Sequence, residues 1–103
     1  MKTYNFYKPK NEEIDVNLVQ YLLNKVKVNR YDFKLIFSYE TFEELGPEKL
    51  LNYYNSEIYG KDNEDEFIFL GKNTLIESID NDNMIYDVNI YTEYGWTNVT
   101  NFE

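Results

Sequence analysis

Nineteen carboxylates and no histidine set the chemistry open to this 103-residue chain. Without imidazole it lacks the commonest general acid/base and the commonest neutral metal ligand. Ser38, Ser56 and Ser78 have no such base to activate them. Cysteine is absent as well, which excludes a disulfide framework and thiolate metal sites. Carboxylate chemistry is what remains. The run Asp80, Asn81, Asp82, Asn83 opens like a calcium loop, but an EF-hand needs Gly at the sixth position and Glu at the twelfth. Those positions hold Ile85 and Tyr91. Asp62, Glu64 and Glu66 lack the glycine too. A catalytic carboxylate pair needs two distinct environments, one partly desolvated, yet each acidic residue fits a wet face, a helix start or a turn. The four glycines are accounted for as caps and turns, and none builds a phosphate loop. The expectation is a protein with no catalytic residue, metal or cofactor.

The carboxylates are more informative as a surface. Alternate strand residues share a face at about 6.6 Å, so Asp87 and Glu93 on one predicted strand and Glu77 on its neighbour make a carboxylate field. Asp80 and Asp82 in the next turn extend it, as does the loop carrying Asp62, Glu64, Asp65 and Glu66. Duplex DNA carries one charge per roughly 3.4 Å on each strand, a density that two carboxylate-bearing strands approach. Tyr91, Tyr94 and Trp96 lie beside Glu93 and are residue types that anchor protein interfaces. A competing account is plain: acidic residues at a strand start discourage edge pairing and aggregation.

The whole-chain charge is -9, and it is unevenly placed. Residues 1–38 carry seven basic and four acidic side chains, residues 39–103 three and fifteen, a split of +3 and -12. Such a balance disfavours direct contact with nucleic acid or an anionic membrane and favours a basic partner. The expected role is a non-enzymatic inhibitor or antidote with a DNA-mimic-like surface, binding a nucleic-acid-handling protein such as a CRISPR effector, restriction or repair enzyme, or nuclease toxin. A small structural or adaptor domain, homodimeric through Tyr91, Tyr94 and Trp96, is the alternative. The strip Lys25, Lys27, Arg30 and Lys34 would serve a nucleic-acid binder, but the overall charge opposes it. Alanine is missing and Arg30 is the single arginine, whereas Asn, Lys, Ile, Tyr and Phe abound. Codon bias of an AT-rich bacterial or phage genome gives that pattern; with the inhibitor reading the expected source is a phage or mobile element, and the lack of cysteine and of a membrane-length apolar run makes the bacterial cytoplasm the expected location. The same bias accounts for many of the eleven tyrosines.

These residues need a scaffold. The length suits one domain, and 43% hydrophobic with 28% charged residues is an ordinary globular balance. No apolar run approaches the roughly 20 residues of a membrane span. Residues 3–7 predict a short strand. Asn11 and the acidic residues after it predict a helix over about 12–27, with Ile14, Leu18, Leu22 and Val26 on its buried face. Tyr31, Phe33, Leu35 and Phe37 alternate as in a strand. Thr41 and Glu44 resemble a capping box over one apolar turn, and Pro47 starts a second helix with Leu50, Leu51, Tyr54 and Ile58 as its stripe, closed by Gly60. Residues 66–70, 74–79, 84–92 and 96–102 predict strands of an antiparallel meander. The implied architecture is α+β: two helices on one face of an antiparallel sheet of about four to six strands.

Overall fold

The computed structural model describes residues 1–11 and 14–103. It is an α+β fold: six strands, β1 (Lys2–Pro9), β2 (Val26–Val28), β3 (Phe33–Thr41), β4 (Leu75–Asp80), β5 (Ile85–Thr92) and β6 (Gly95–Phe102), with helices α1 (Leu18–Leu23) and α2 (Pro47–Tyr53). The sheet order is β2-β6-β5-β4-β1-β3. Every pairing is antiparallel except the short parallel contact of β2 with β6. The expected meander is β4-β5-β6, and the strand expected at residues 3–7 is β1, inserted between β4 and β3.

Side chains alternate across the sheet, so neighbouring Leu75 and Ile76 enter separate clusters on its two faces. On one face Tyr4, Phe6 and Ile76 meet Leu50, Leu51 and Tyr54 from α2 and its extension. Phe6 and Leu50 are fully buried, and burial of each contributes about 1.5–3 kcal/mol. Pro47 occupies the first turn of α2 as expected. The helix then widens into a π-helical stretch, Tyr54–Tyr59, which stacks Tyr54 on Phe6 with centroids 5.5 Å apart. Gly60 closes it differently from a left-handed cap: its φ is -65°. Glycine is required there by proximity, since a Cβ would lie 2.5 Å from the Ser56 carbonyl oxygen.

The opposite face buries Tyr7, Phe33, Leu75, Val88 and Ile90. β6 pairs with β5 only as far as Asn98, and its remaining half carries β2 over this face. The Phe102 ring thereby reaches Tyr7 and Phe33, at 5.2 and 5.8 Å. Val16 and Val26 join the same cluster, and Tyr21 of α1 packs against it, so the two helices serve different faces.

Three expected elements are replaced. The helix over about 12–27 shrinks to six residues; its acidic first turn, Glu12 and Glu13, lies outside the described residues. Asn17 caps it from inside the expected span, accepting from the Gln20 N–H at 2.9 Å while the Gln20 side chain accepts from the Asn17 N–H at 3.1 Å. Asn24 stops it in the left-handed conformation, which frees Val26 to pair with β6. The apolar turn after Thr41 is not helical: Thr41 Oγ1 accepts the Glu43 N–H, and the Tyr4 hydroxyl donates to Glu43 O and accepts the Leu45 N–H. Residues 66–70 form no strand. Side chains of the π-helical stretch satisfy their backbone instead, Tyr54 Oη donating to Ile68 O at 2.7 Å and the Asn55 amide bonding both N–H and C=O of Leu70.

Candidate functional site

Strand register decides which of the expected contact residues meet. Glu77 pairs opposite Val88 and Asp87 opposite Ser78. Directly paired residues share a face, so Glu77 and Asp87 project to opposite sides of the sheet. The single carboxylate field of Glu77, Asp87 and Glu93 is therefore not formed, because adjacent partners on paired strands cannot both face one way.

Glu77 is 3% exposed, between Leu75 and Ile79 in the alternation. Its Oε2 accepts from Arg30 Nη2 at 2.7 Å and Tyr86 Oη at 2.6 Å; its Oε1 accepts from Asn5 Nδ2 at 2.9 Å and Tyr7 Oη at 3.2 Å. The 3-10 turn Arg30–Asp32 delivers the arginine, whose guanidinium sits 4.2 Å from the Phe102 ring centroid. Burial alone would raise the Glu77 pKa, but the bonds from Arg30, Tyr86 and Asn5 and the arginine charge outweigh it and hold the carboxyl below its ordinary range. The bond to Glu77 correspondingly raises the Arg30 pKa against the burial that lowers it. Burial, then the bond to Glu77 and its charge, push the Tyr86 phenol up to about 12. The arrangement fixes an ionised carboxylate among four donors. It holds the fold, and it is the opposite of a base poised near neutral pH.

Asp80 and Asp62 are likewise turned inward by their turns. Asp80 accepts the N–H groups of Asp82 and Asn83 and the Asn83 side chain, closing the turn from β4 to β5. Its pKa is lowered, first by the Asn83 side-chain bond. Asp62 accepts from the Glu64 and Phe67 N–H groups at 3.0 and 2.8 Å, and its pKa falls chiefly through the Phe67 bond. Glu64, Asp65 and Glu66 remain exposed on this connection, beside Phe67, which packs edge-on against Phe37.

Tyr91 and Trp96 form a ring pair at 5.1 Å on the α2 face, both half-buried against Leu50's cluster. Tyr94 leaves them and lies against Tyr21 of α1 at 5.6 Å. Glu93, exposed in the β5–β6 turn, is the main cause that raises the pKa of the neighbouring Tyr94 phenol, with burial adding to it. The expected aromatic patch is thus two separate pairs.

What the register does assemble is an acidic end. Lys2 pairs with Thr41 of β3 and Asp80 of β4, and Asp80 pairs with Ile85 of β5. This sets Glu44, Asp80 and Asp87 on the same face as one lysine, Lys2, which contacts Glu44 at 3.7 Å, while Glu40, opposite Thr3, projects to the other face and Glu43 and Asp82 lie in the adjoining turns. Asp82 pairs with the N-terminal ammonium at 2.5 Å. A cleft of about 270 Å³ opens there between the sheet and the start of α2, lined by Lys2, Glu44, Asp80, Asp87 and Asn89. Asp87 is held upright in it, accepting from Asn98 Nδ2 at 2.6 Å and Asn89 Nδ2 at 3.0 Å. Glu40, Glu43 and Glu44 are not among the contact residues expected from sequence, where Glu44 figures only in a capping box; they flank an exposed Phe42 just past the end of β3, and only the β1–β3 register brings this segment toward Asp80.

No family model, curated protein or solved structure matches the chain. Among the described residues, no group of three carboxylates is placed to hold a metal ion, and no helix is long and apolar enough to cross a membrane.

Proposed function

We propose that the protein is a non-enzymatic inhibitor or antidote that binds a basic, nucleic-acid-handling protein through the acidic end of its sheet. One observation carries this reading: Glu44, Asp80 and Asp87 line one cleft in which Lys2 is the single basic side chain, with Glu40, Glu43 and Asp82 at the same end of the sheet. An end of this sign attracts a phosphate-binding surface, accelerates encounter and makes affinity fall with salt. The Asp62–Glu66 connection lies apart and adds exposed charge at Glu64, Asp65 and Glu66. The expected source and location, a phage or mobile element acting in bacterial cytoplasm, belong to the same proposal.

The test is a pull-down from nuclease-treated bacterial lysate with the native chain and with a Glu43→Lys, Asp82→Lys, Asp87→Lys variant, eluted by rising salt. Capture of a basic nucleic-acid enzyme by the native chain alone, shed at high salt, is expected. Equal capture by both chains, or retention indifferent to salt, rejects the acidic-end mechanism. The second outcome favours the adaptor reading, for which the half-buried Tyr91–Trp96 pair is the supporting feature.

A further inference from the structure

We propose that the chain also self-associates, two copies meeting through α1 in antiparallel contact across a two-fold axis. Leu18, Val19, Leu22 and Leu23 are 47, 63, 66 and 58% exposed, and α1 has no fully buried residue. Positions i, i+1, i+4 and i+5 share one side of a helix, so the four make a continuous aliphatic stripe turned to solvent. A patch of a few hundred Å² is the scale at which exposed apolar surface on a monomer marks an interaction site. Six residues are far too few for a helix to persist by itself. α1 is nonetheless anchored by its capping box, by the left-handed Asn24 and by the Asn24 side chain accepting from Thr97 Oγ1 at 2.9 Å.

Charge selects the occupant. Exposed Asp15 precedes the helix and exposed Lys25 follows it, so the stripe has an acidic and a basic end. Glu93 stands next to Tyr94, whose ring packs on Tyr21 of α1 at 5.6 Å. Lys27, exposed in β2, follows Lys25. Antiparallel apposition of two copies sets Asp15 against the other copy's Lys25 twice, places Leu18 near Leu22 and opposes the helix dipoles. A parallel arrangement would oppose like charges. An anionic lipid surface is disfavoured by the net charge of -9. The β5–β6 turn against α1 is at the far end of the strands from Asp80, so association leaves the acidic end open.

The contact is smaller than the roughly 800 Å² per partner of a standard interface, which implies a weak dimer, with Kd between about 1 µM and 1 mM. Sedimentation velocity across that range should show the mass rising from 12.5 kDa toward its double. Leu22→Lys, at an exposed site, should weaken association at least tenfold with an unchanged circular dichroism spectrum. Asp15→Lys and Lys25→Glu should each be monomeric alone, and their equimolar mixture should associate, because both junctions are then opposite in sign. A native chain that stays monomeric throughout overturns the proposal and leaves the stripe to a partner of different sequence. Association that survives Leu22→Lys, or a mixture of the two charge variants that stays monomeric, overturns the α1 geometry.

Discussion

Replacing Arg30 by Ala tests whether the Glu77 network holds the fold. The Glu77 side chain is 4% exposed and that of Arg30 41%, so the substitution strands a buried carboxylate while removing a partly solvated cation. The charged hydrogen bond at 2.7 Å contributes about 1.5–3 kcal/mol. The guanidinium over Phe102 adds about 0.5–1 kcal/mol at a site this exposed. Orphaning a buried charge costs about 3–5 kcal/mol when nothing else solvates it. Here Tyr86, Tyr7 and Asn5 still donate, so the expected loss is about 2–4 kcal/mol. Urea unfolding followed by the single tryptophan, Trp96, should show the midpoint falling by roughly 1–3 M. The pH dependence has a definite sign. The folded Glu77 pKa is depressed, so the network's contribution is complete above the unfolded value of about 4.3 and is lost as pH falls through the folded one. In the Arg30→Ala chain the depression is relieved, so its stability should fall less with acid and the gap to the native chain should narrow as pH drops below about 4.3. A stability within about 0.5 kcal/mol of the native chain, with the same acid profile, would refute the reasoning.

Two further perturbations probe neighbouring features. Gly60→Ala forces a Cβ against the Ser56 carbonyl, which should cost about 1–3 kcal/mol in the same urea assay; an unchanged midpoint would mean the π-helical end relaxes freely. Tyr86→Phe removes one donor from Glu77 and should cost about 1–2 kcal/mol at pH 7. Because the folded Tyr86 pKa is raised to about 12, its contribution is full below the unfolded value of about 10 and disappears as pH climbs through the folded one. The stability difference between the native and Tyr86→Phe chains should therefore narrow above about pH 10, and a constant difference to pH 12 would count against the assigned bond.

Elements that carry their own period were legible in the sequence. Pro47 with Leu50, Leu51 and Tyr54 marks α2, and the alternation in residues 84–92 marks β5, because local geometry and burial agree there. The helix over 12–27 was less legible, since four-residue apolar spacing does not say that Val26 will leave for a strand while Leu18 and Leu22 face water. Residues 66–70 look like a strand, yet Tyr54 and Asn55 satisfy their backbone, and no local pattern encodes that tertiary choice. Glu77 carried a usable signal: it alternates with Leu75 and Ile79, which places it on their face. The sole arginine was its natural partner. Asp80 and Asp62 head turns in which an Asp side chain commonly bonds backbone N–H groups two or three residues on, and that chemistry competes with any role at an interface.

The charge split along the chain becomes, through register, a polarity along the strands. At one end lie Lys2, Glu40, Glu43, Glu44, Asp80, Asp82 and Asp87; at the other, Lys8 pairs opposite Lys34, with Lys10 and Lys72 nearby and Asp15, Asp32 and Glu93 among the acidic residues there. β1 accounts for much of the reversal, since it carries Lys2 into the acidic end and Lys8 toward the basic one. Arg30 does not contribute to the basic end, because Glu77 neutralises it within the fold. A partner that reads charge would meet an oriented molecule and dock by one end, with the Asp62–Glu66 connection to the side. That orientation separates the two interaction surfaces: the acidic end lies beyond Asp80, whereas the α1 stripe lies by the β5–β6 turn. A self-associated pair would carry two acidic ends, each distant from the α1 contact, able to engage two copies of a basic target at once.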